Sequence, residues 1–127
     1  MMKIYYRKAY VAIVCYDITN ASSWDRVSYW VNEIRDVEGD CKIILVGTKL
    51  DMLKENQRAV PKEVVSQLAT SIGGADIFET SAKTGHMILE LFEKIAHDYV
   101  ADNKHIMANS SMLDKKPAGS SRRGACC

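Results

Sequence analysis

The chain has 127 residues with 17 basic and 16 acidic side chains, a formal charge of +1, which lacks the strong positive excess of a nucleic-acid binder. Its hydrophobic content of 47% is that of a folded protein, and its length allows one domain at most. No apolar run reaches the roughly 18 residues of a membrane helix, no secretion signal opens the chain, and Cys15, Cys41, Cys126 and Cys127 show neither zinc spacing nor a disulfide framework. The expected location is the cytoplasm or a cytosolic membrane face.

Residues 10–16 are almost wholly apolar and β-branched, which predicts a strand covered on both faces. A helix is predicted to open near Ser22-Ser23, with Ser22 and Asp25 at capping-box-like spacing. It carries Trp24, Val27, Trp30, Val31 and Ile34 on one stripe and ends at Gly39. A second strand is predicted over 43–46. A second helix begins at Pro61, which suits a first helical position, and stops at Gly73-Gly74. Ile77-Phe78 reads as a short third strand, and a third helix runs over about 87–103 with Ile88, Leu91, Phe92, Ile95 and Tyr99 at helical spacing. The remainder, 104–127, mixes Ser, Asn, Gly, Lys and Pro117 and reads as a flexible tether. Alternating strands and helices predict an α/β fold: about three parallel strands, three helices and right-handed crossovers. Ligands of such sheets bind beyond the C-terminal ends of the strands.

Two motifs fall at that edge. Thr48-Lys49-Leu50-Asp51 follows the second strand, and Glu79-Thr80-Ser81-Ala82-Lys83 follows the third. A carboxylate such as Asp51, held where a strand ends, can accept paired hydrogen bonds from the N1 and exocyclic N2 hydrogens of guanine, a donor pair that adenine lacks. The Lys49 stem can cover one face of the ring, and a backbone N–H near Ala82 can donate to O6. Blander readings stand beside these. Asp51 and Lys49 could be a solvated loop pair, Ser81 and Lys83 could cap the turn before the last helix, and Glu79 could be a strand-end carboxylate. His86, His97 and His105 share no ligand spacing, and Trp24, Tyr29 and Trp30 read as helix packing.

Thr-Lys-Leu-Asp and Glu-Thr-Ser-Ala-Lys resemble the two base-recognition motifs of Ras-superfamily GTPases, and the terminal Cys126-Cys127 narrows the resemblance to the Rab family. Ile4-Tyr5-Tyr6-Arg7-Lys8-Ala9 followed by Val14-Cys15-Tyr16-Asp17-Ile18-Thr19 is similar to the end of a switch II segment and the strand after it, and Trp30 sits where Rab proteins usually have one. Thr48 stands where most of the family has Asn, as in an atypical, autophagy-associated branch. With one donor hydrogen against two, the hydroxyl bridges fewer groups than an amide, so weaker nucleotide binding is expected.

The resemblance implies a phosphate-loop GTPase fold of Rossmann-like architecture and GTP or GDP as ligand. Thr48, Lys49, Asp51, Ser81, Ala82 and Lys83 would then surround guanine, with magnesium bound in the intact family. It implies regulation of vesicle or autophagic membrane traffic and geranylgeranylation of Cys126 and Cys127, since two lipid chains suffice for stable anchoring. The implied partners are the escort and prenylation machinery, the GDP-dissociation inhibitor, effectors and an endomembrane. Lys115-Lys116 and Arg122-Arg123 would add roughly 1 kcal/mol each on an anionic surface.

The resemblance covers only the C-terminal part of a Rab domain, residues 1–103, with 104–127 as the hypervariable tail. A phosphate loop needs Gly-x-x-x-x-Gly-Lys-Ser/Thr between strand and helix. The glycines at that spacing, Gly119 and Gly124, precede Ala125 and follow no strand. The one formal Asp-x-x-Gly match, Asp36 to Gly39, closes a helix and reads as a turn. Switch I, the magnesium ligands and a water-orienting residue are likewise not encoded, so no catalytic residue is assigned and GTP hydrolysis is a property of the family. The expectation is a Rab-like chain without its N-terminal third, whose first strand has a bare edge and which is poorly soluble alone. The rival readings are a prenylated, non-catalytic interaction module and a non-functional fragment.

Overall fold

The computed structural model describes residues 7–54 and 56–113, without side chains from 104 onward. The three apolar runs form one parallel sheet in sequence order: β1 (Val11–Asp17), β2 (Lys42–Thr48) and β3 (Asp76–Glu79). The register pairs Asp17 with Thr48 and Gly47 with Glu79, which brings three strand ends to one edge. Between the strands lie α1 (Ala21–Asp25), α2 (Val27–Val37), a 3₁₀ turn (Leu50–Lys54) and α3 (Lys62–Ser71), and α4 (Ile88–Leu113) follows β3. The expected α/β architecture is present.

Alternation along the strands divides the core in two. Val14 and Tyr16 of β1 with Ile43 and Leu45 of β2 face Val27, Val31 and Ile34 of α2 and Val65 and Ala69 of α3, with Ile18 and Val60 filling the end. Ile44 and Val46 face the other way, against Leu91, with Val11, Ile13, Phe78 and Ile95 packed around them. β2 is therefore buried on both faces, and Leu45 has no exposed surface. Burying such a side chain contributes about 1.5–3 kcal/mol, so β2 is the mechanical centre on which the site is built.

Local chemistry shifts several predicted boundaries. Asn20, and not Ser22, caps the first helix: its side-chain oxygen accepts from the Ser22 N–H at 3.0 Å. The predicted single helix is divided at Arg26, which ends α1 and opens α2. Pro61 precedes its helix in an extended conformation, ψ 146°, so α3 starts one residue later than expected. α4 runs to Leu113, past the expected end at Asn103, because no Gly or Pro interrupts the sequence between Gly85 and Pro117. Residues 114–127 lie outside the described residues. Chain contacts divide within α4, into a unit through Ile95 and a unit from Ala96. In the second unit the Asn103 amide donates to the Tyr99 carbonyl at 2.9 Å.

Among the described residues β1 pairs with β2 alone. A cavity of about 420 Å³ lies beside β1, lined by Val11, Ile13, Cys15, Trp30 and Ile34 among others. Trp30 thus lines a groove at 36% exposure, whereas Trp24 packs edge-on against Tyr16 with ring centres 5.0 Å apart. Tyr29, the third of these rings, is 60% exposed.

A side chain at Gly47 of β2 would force its neighbours to shift. A Cβ there would lie 2.9 Å from both Ile18 Cγ1 and the Tyr16 hydroxyl. Gly47→Ala is expected to lower stability by about 1–3 kcal/mol through overpacking, read from denaturant melts; an unchanged midpoint would show that the neighbours yield freely.

Candidate functional site

Beyond β2 the chain reverses at Lys49, which adopts a left-handed φ of +64°, uncommon for a residue with a side chain. Hydrogen bonds hold it there: Met52 N–H donates to the Lys49 carbonyl at 2.9 Å and Leu50 N–H to the Thr80 carbonyl at 3.0 Å. Thr80, buried, donates its own N–H to the Gly47 carbonyl at 2.7 Å. The two motifs, about thirty positions apart in sequence, are thereby laced together across the ends of β2 and β3.

The lacing brings side chains together. The buried Ser81 hydroxyl donates to Asp51 Oδ1 at 2.6 Å and accepts from the Thr84 N–H at 3.1 Å. Ser81 therefore caps the turn before the last helix, as one sequence reading expected, and its hydroxyl also holds the Asp51 carboxylate, a contact the sequence did not indicate. Gly85 closes the loop with φ +81°, donating its N–H to the Ser81 carbonyl at 2.8 Å. Leu50, Asp51, Lys54, Ser81, Lys83, Thr84 and His86 line a cleft of about 430 Å³. The Ala82 N–H donates to nothing among the described residues, and Ala82 and Lys83 are exposed.

Thr48 and Lys49 turn instead to β1. The Thr48 hydroxyl donates to the Tyr16 carbonyl at 3.0 Å, so its single hydrogen is committed to the sheet. Lys49 Nζ lies 3.1 Å from Asp17 Oδ2, but the lysine is 60% exposed, and such a pair is worth about 0–1 kcal/mol. Partial desolvation raises the Asp17 carboxyl, yet the Thr19 N–H and hydroxyl at 2.9 and 2.7 Å, with Lys49, outweigh it and hold it below its usual value.

The family model described as "Ras family" matches residues 1–101. The chain belongs to the Ras family. Its relatives include the Ras-related protein Rab-24 of Dictyostelium discoideum, 39% identical over 97% of this chain and 63% of that protein. Human Rab-3B is 39% identical over 93% of this chain and 51% of its own length, and human Rab-19 is 34% identical over 92% and 54%. These relatives place the chain in the Rab branch, and it spans between half and two thirds of their length.

One contact of this Ras-family edge has no local sequence signal. Arg58 grips Glu79 with both guanidinium nitrogens, Nη1 to Oε2 at 2.7 Å and Nη2 to Oε1 at 3.0 Å, across 21 positions of sequence. Glu79, read from sequence as a strand-end carboxylate, is one half of this fork. Both side chains are mostly buried, 26% and 16% exposed. The neighbouring Tyr16 hydroxyl has no partner among the described residues and is pushed up to about 12, first by burial and then by the Glu79 charge.

Cys126, Cys127 and the Gly119/Gly124 pair lie outside the described residues. Among the described residues no three His, Cys, Asp or Glu side chains could hold a metal together, and no helix is long and apolar enough to cross a membrane.

The Arg58 hydrogen bonds hold Glu79 below its usual value against the opposing effect of burial. A depressed folded-state value means that the pair stabilises the fold above the unfolded glutamate range, about 4.3, and loses that contribution as pH falls through the lowered value. Thermal melts between neutral pH and pH 3 are expected to show a shallower acid loss in Glu79→Gln than in the unmodified chain. Parallel curves would remove Glu79 from the acid transition.

Proposed function

We propose that this chain carries the guanine-recognition part of a Rab-like GTP-binding protein. The observation that carries the reading is the 2.6 Å bond from the buried Ser81 hydroxyl to Asp51 at the C-terminal edge of a parallel sheet. It occupies one carboxylate oxygen and fixes the side chain in a cleft, leaving Asp51 acceptor capacity for the N1 and N2 hydrogens of guanine. The Ala82 N–H meets O6, the Lys49 stem covers a ring face, and Lys83 and Ser81 complete the base loop. Adenine offers no matching donor pair, and the unpaired groups it would leave reject it. Thr48, its hydrogen committed to Tyr16, does not bridge to phosphate as an amide would, which supports a weaker grip than in Asn-bearing relatives. Magnesium neutralises phosphate charge in the intact family. Among the described residues no three His, Cys, Asp or Glu side chains cluster around a site for it.

The parent activity is GTP-switched regulation of vesicle or autophagic membrane traffic at the cytosolic face of an endomembrane. Cys126 and Cys127 receive geranylgeranyl groups from the prenylation machinery, with an escort protein. A GDP-dissociation inhibitor and effectors bind the lipidated protein.

A fluorescent GDP analogue titrated against the purified chain tests the base contacts. Saturable binding is expected, weakened about a hundredfold or more by Asp51→Ala, since two hydrogen bonds to a charged acceptor are worth about 1.5–3 kcal/mol each. Equal affinity in the variant, or for an ADP analogue, would contradict guanine recognition by Asp51.

A further inference from the structure

β3 is a poor anchor for the loop it carries. It has four residues, Asp76 and Ile77 at its start are exposed, and among the described residues it pairs on one side only. So short an edge strand frays readily, yet the loop that follows must keep Ser81 within hydrogen-bond distance of Asp51. Something besides the ladder has to hold its end.

We propose that Arg58 is the positioning residue that does so, acting through Glu79 on the Thr80-Ser81 segment. The proposal rests on the guanine reading above and adds a residue that no base contact requires. The segment bearing Arg58 is suspended from the end of β1: the Ala59 and Val60 N–H groups both donate to the Ile18 carbonyl, at 2.9 and 3.2 Å. Arg58 Nη1 also donates to the Val60 carbonyl at 3.3 Å, which sets the direction of the fork. From that support the guanidinium takes Glu79 in two parallel bonds, a geometry that fixes orientation as well as distance. Glu79 stands opposite Gly47 in the register, and its neighbour Thr80 both donates to Gly47 and accepts from Leu50. Holding Glu79 therefore holds the Thr80 bonds, and one residue further on the Ser81 hydroxyl at Asp51. The path from Arg58 to Asp51 runs entirely through bonded neighbours. A lysine would retain the charge but not the planar fork.

The test is amide hydrogen exchange on the full chain, unmodified and as Arg58→Gln and Arg58→Lys, together with GDP affinity. In Arg58→Gln the Leu50 and Thr80 amides are expected to exchange about tenfold faster or more, with GDP affinity falling in parallel, while the β1–β2 ladder amides stay unchanged. Arg58→Lys should fall between the two. Unchanged Leu50 and Thr80 amides would overturn the proposal. So would equal acceleration throughout the sheet, which would make Arg58 a general stabiliser. If the unmodified chain binds no GDP, the guanine reading fails, and the exchange rates still decide whether Arg58 holds the loop.

Discussion

The 2.7 Å hydrogen bond from the Thr80 N–H to the Gly47 carbonyl decides where everything at the sheet edge lies. It extends the β2–β3 ladder by one residue beyond the last strand pair, Gly47 with Glu79, and so aligns the two loops that leave those strands. Given that alignment, Leu50 reaches the Thr80 carbonyl, Lys49 must turn through a left-handed conformation, and Asp51 arrives beside Ser81. The bond is supported by β2, which is buried on both faces and presents its terminal carbonyls toward the loops. Gly47 also lets Tyr16 pack beneath the strand, in a space that a Cβ would occupy.

The local chemistry of this edge was largely legible in the sequence. Uninterrupted apolar runs mark the strands, but only β2 is covered on both sides, since Cys15 of β1 and Ile77 of β3 are exposed; Asp51 and Ser81 lie shortly after two of these runs, which implies a shared edge. Residue type alone left Ser81 open between a turn cap and a base-loop residue; the structure shows the cap at Thr84 and adds a bond to Asp51 that residue type did not announce. What the sequence did not show was long-range or conformational. Arg58 and Glu79 belong to different segments, and neither carries a mark of the other. The commitment of the Thr48 hydroxyl to the Tyr16 carbonyl likewise depends on strand register. Boundaries moved for smaller reasons: Asn20 outcompetes Ser22 as a cap, and α4 continues because nothing breaks it.

The family match covers residues 1–101, and within that span a carboxylate is fixed by a buried hydroxyl beyond parallel strands. Three further side-chain ties at this edge differ in strength. Lys49 with Asp17 is solvent-screened and weak, Thr48 with Tyr16 is a single neutral bond, and Arg58 with Glu79 is a mostly buried fork. Variation at the first two is expected to tune the site, and variation at the third to unhinge it.

Base selectivity is tested most directly by titrating the isotope-labelled chain with GMP and, separately, AMP while following backbone amide resonances. Guanine recognition by this edge requires saturable shifts at Leu50, Ala82 and Lys83 with GMP and none with AMP. Equal responses to both nucleotides, or shifts confined to residues away from the Asp51–Ser81 cleft, would contradict it.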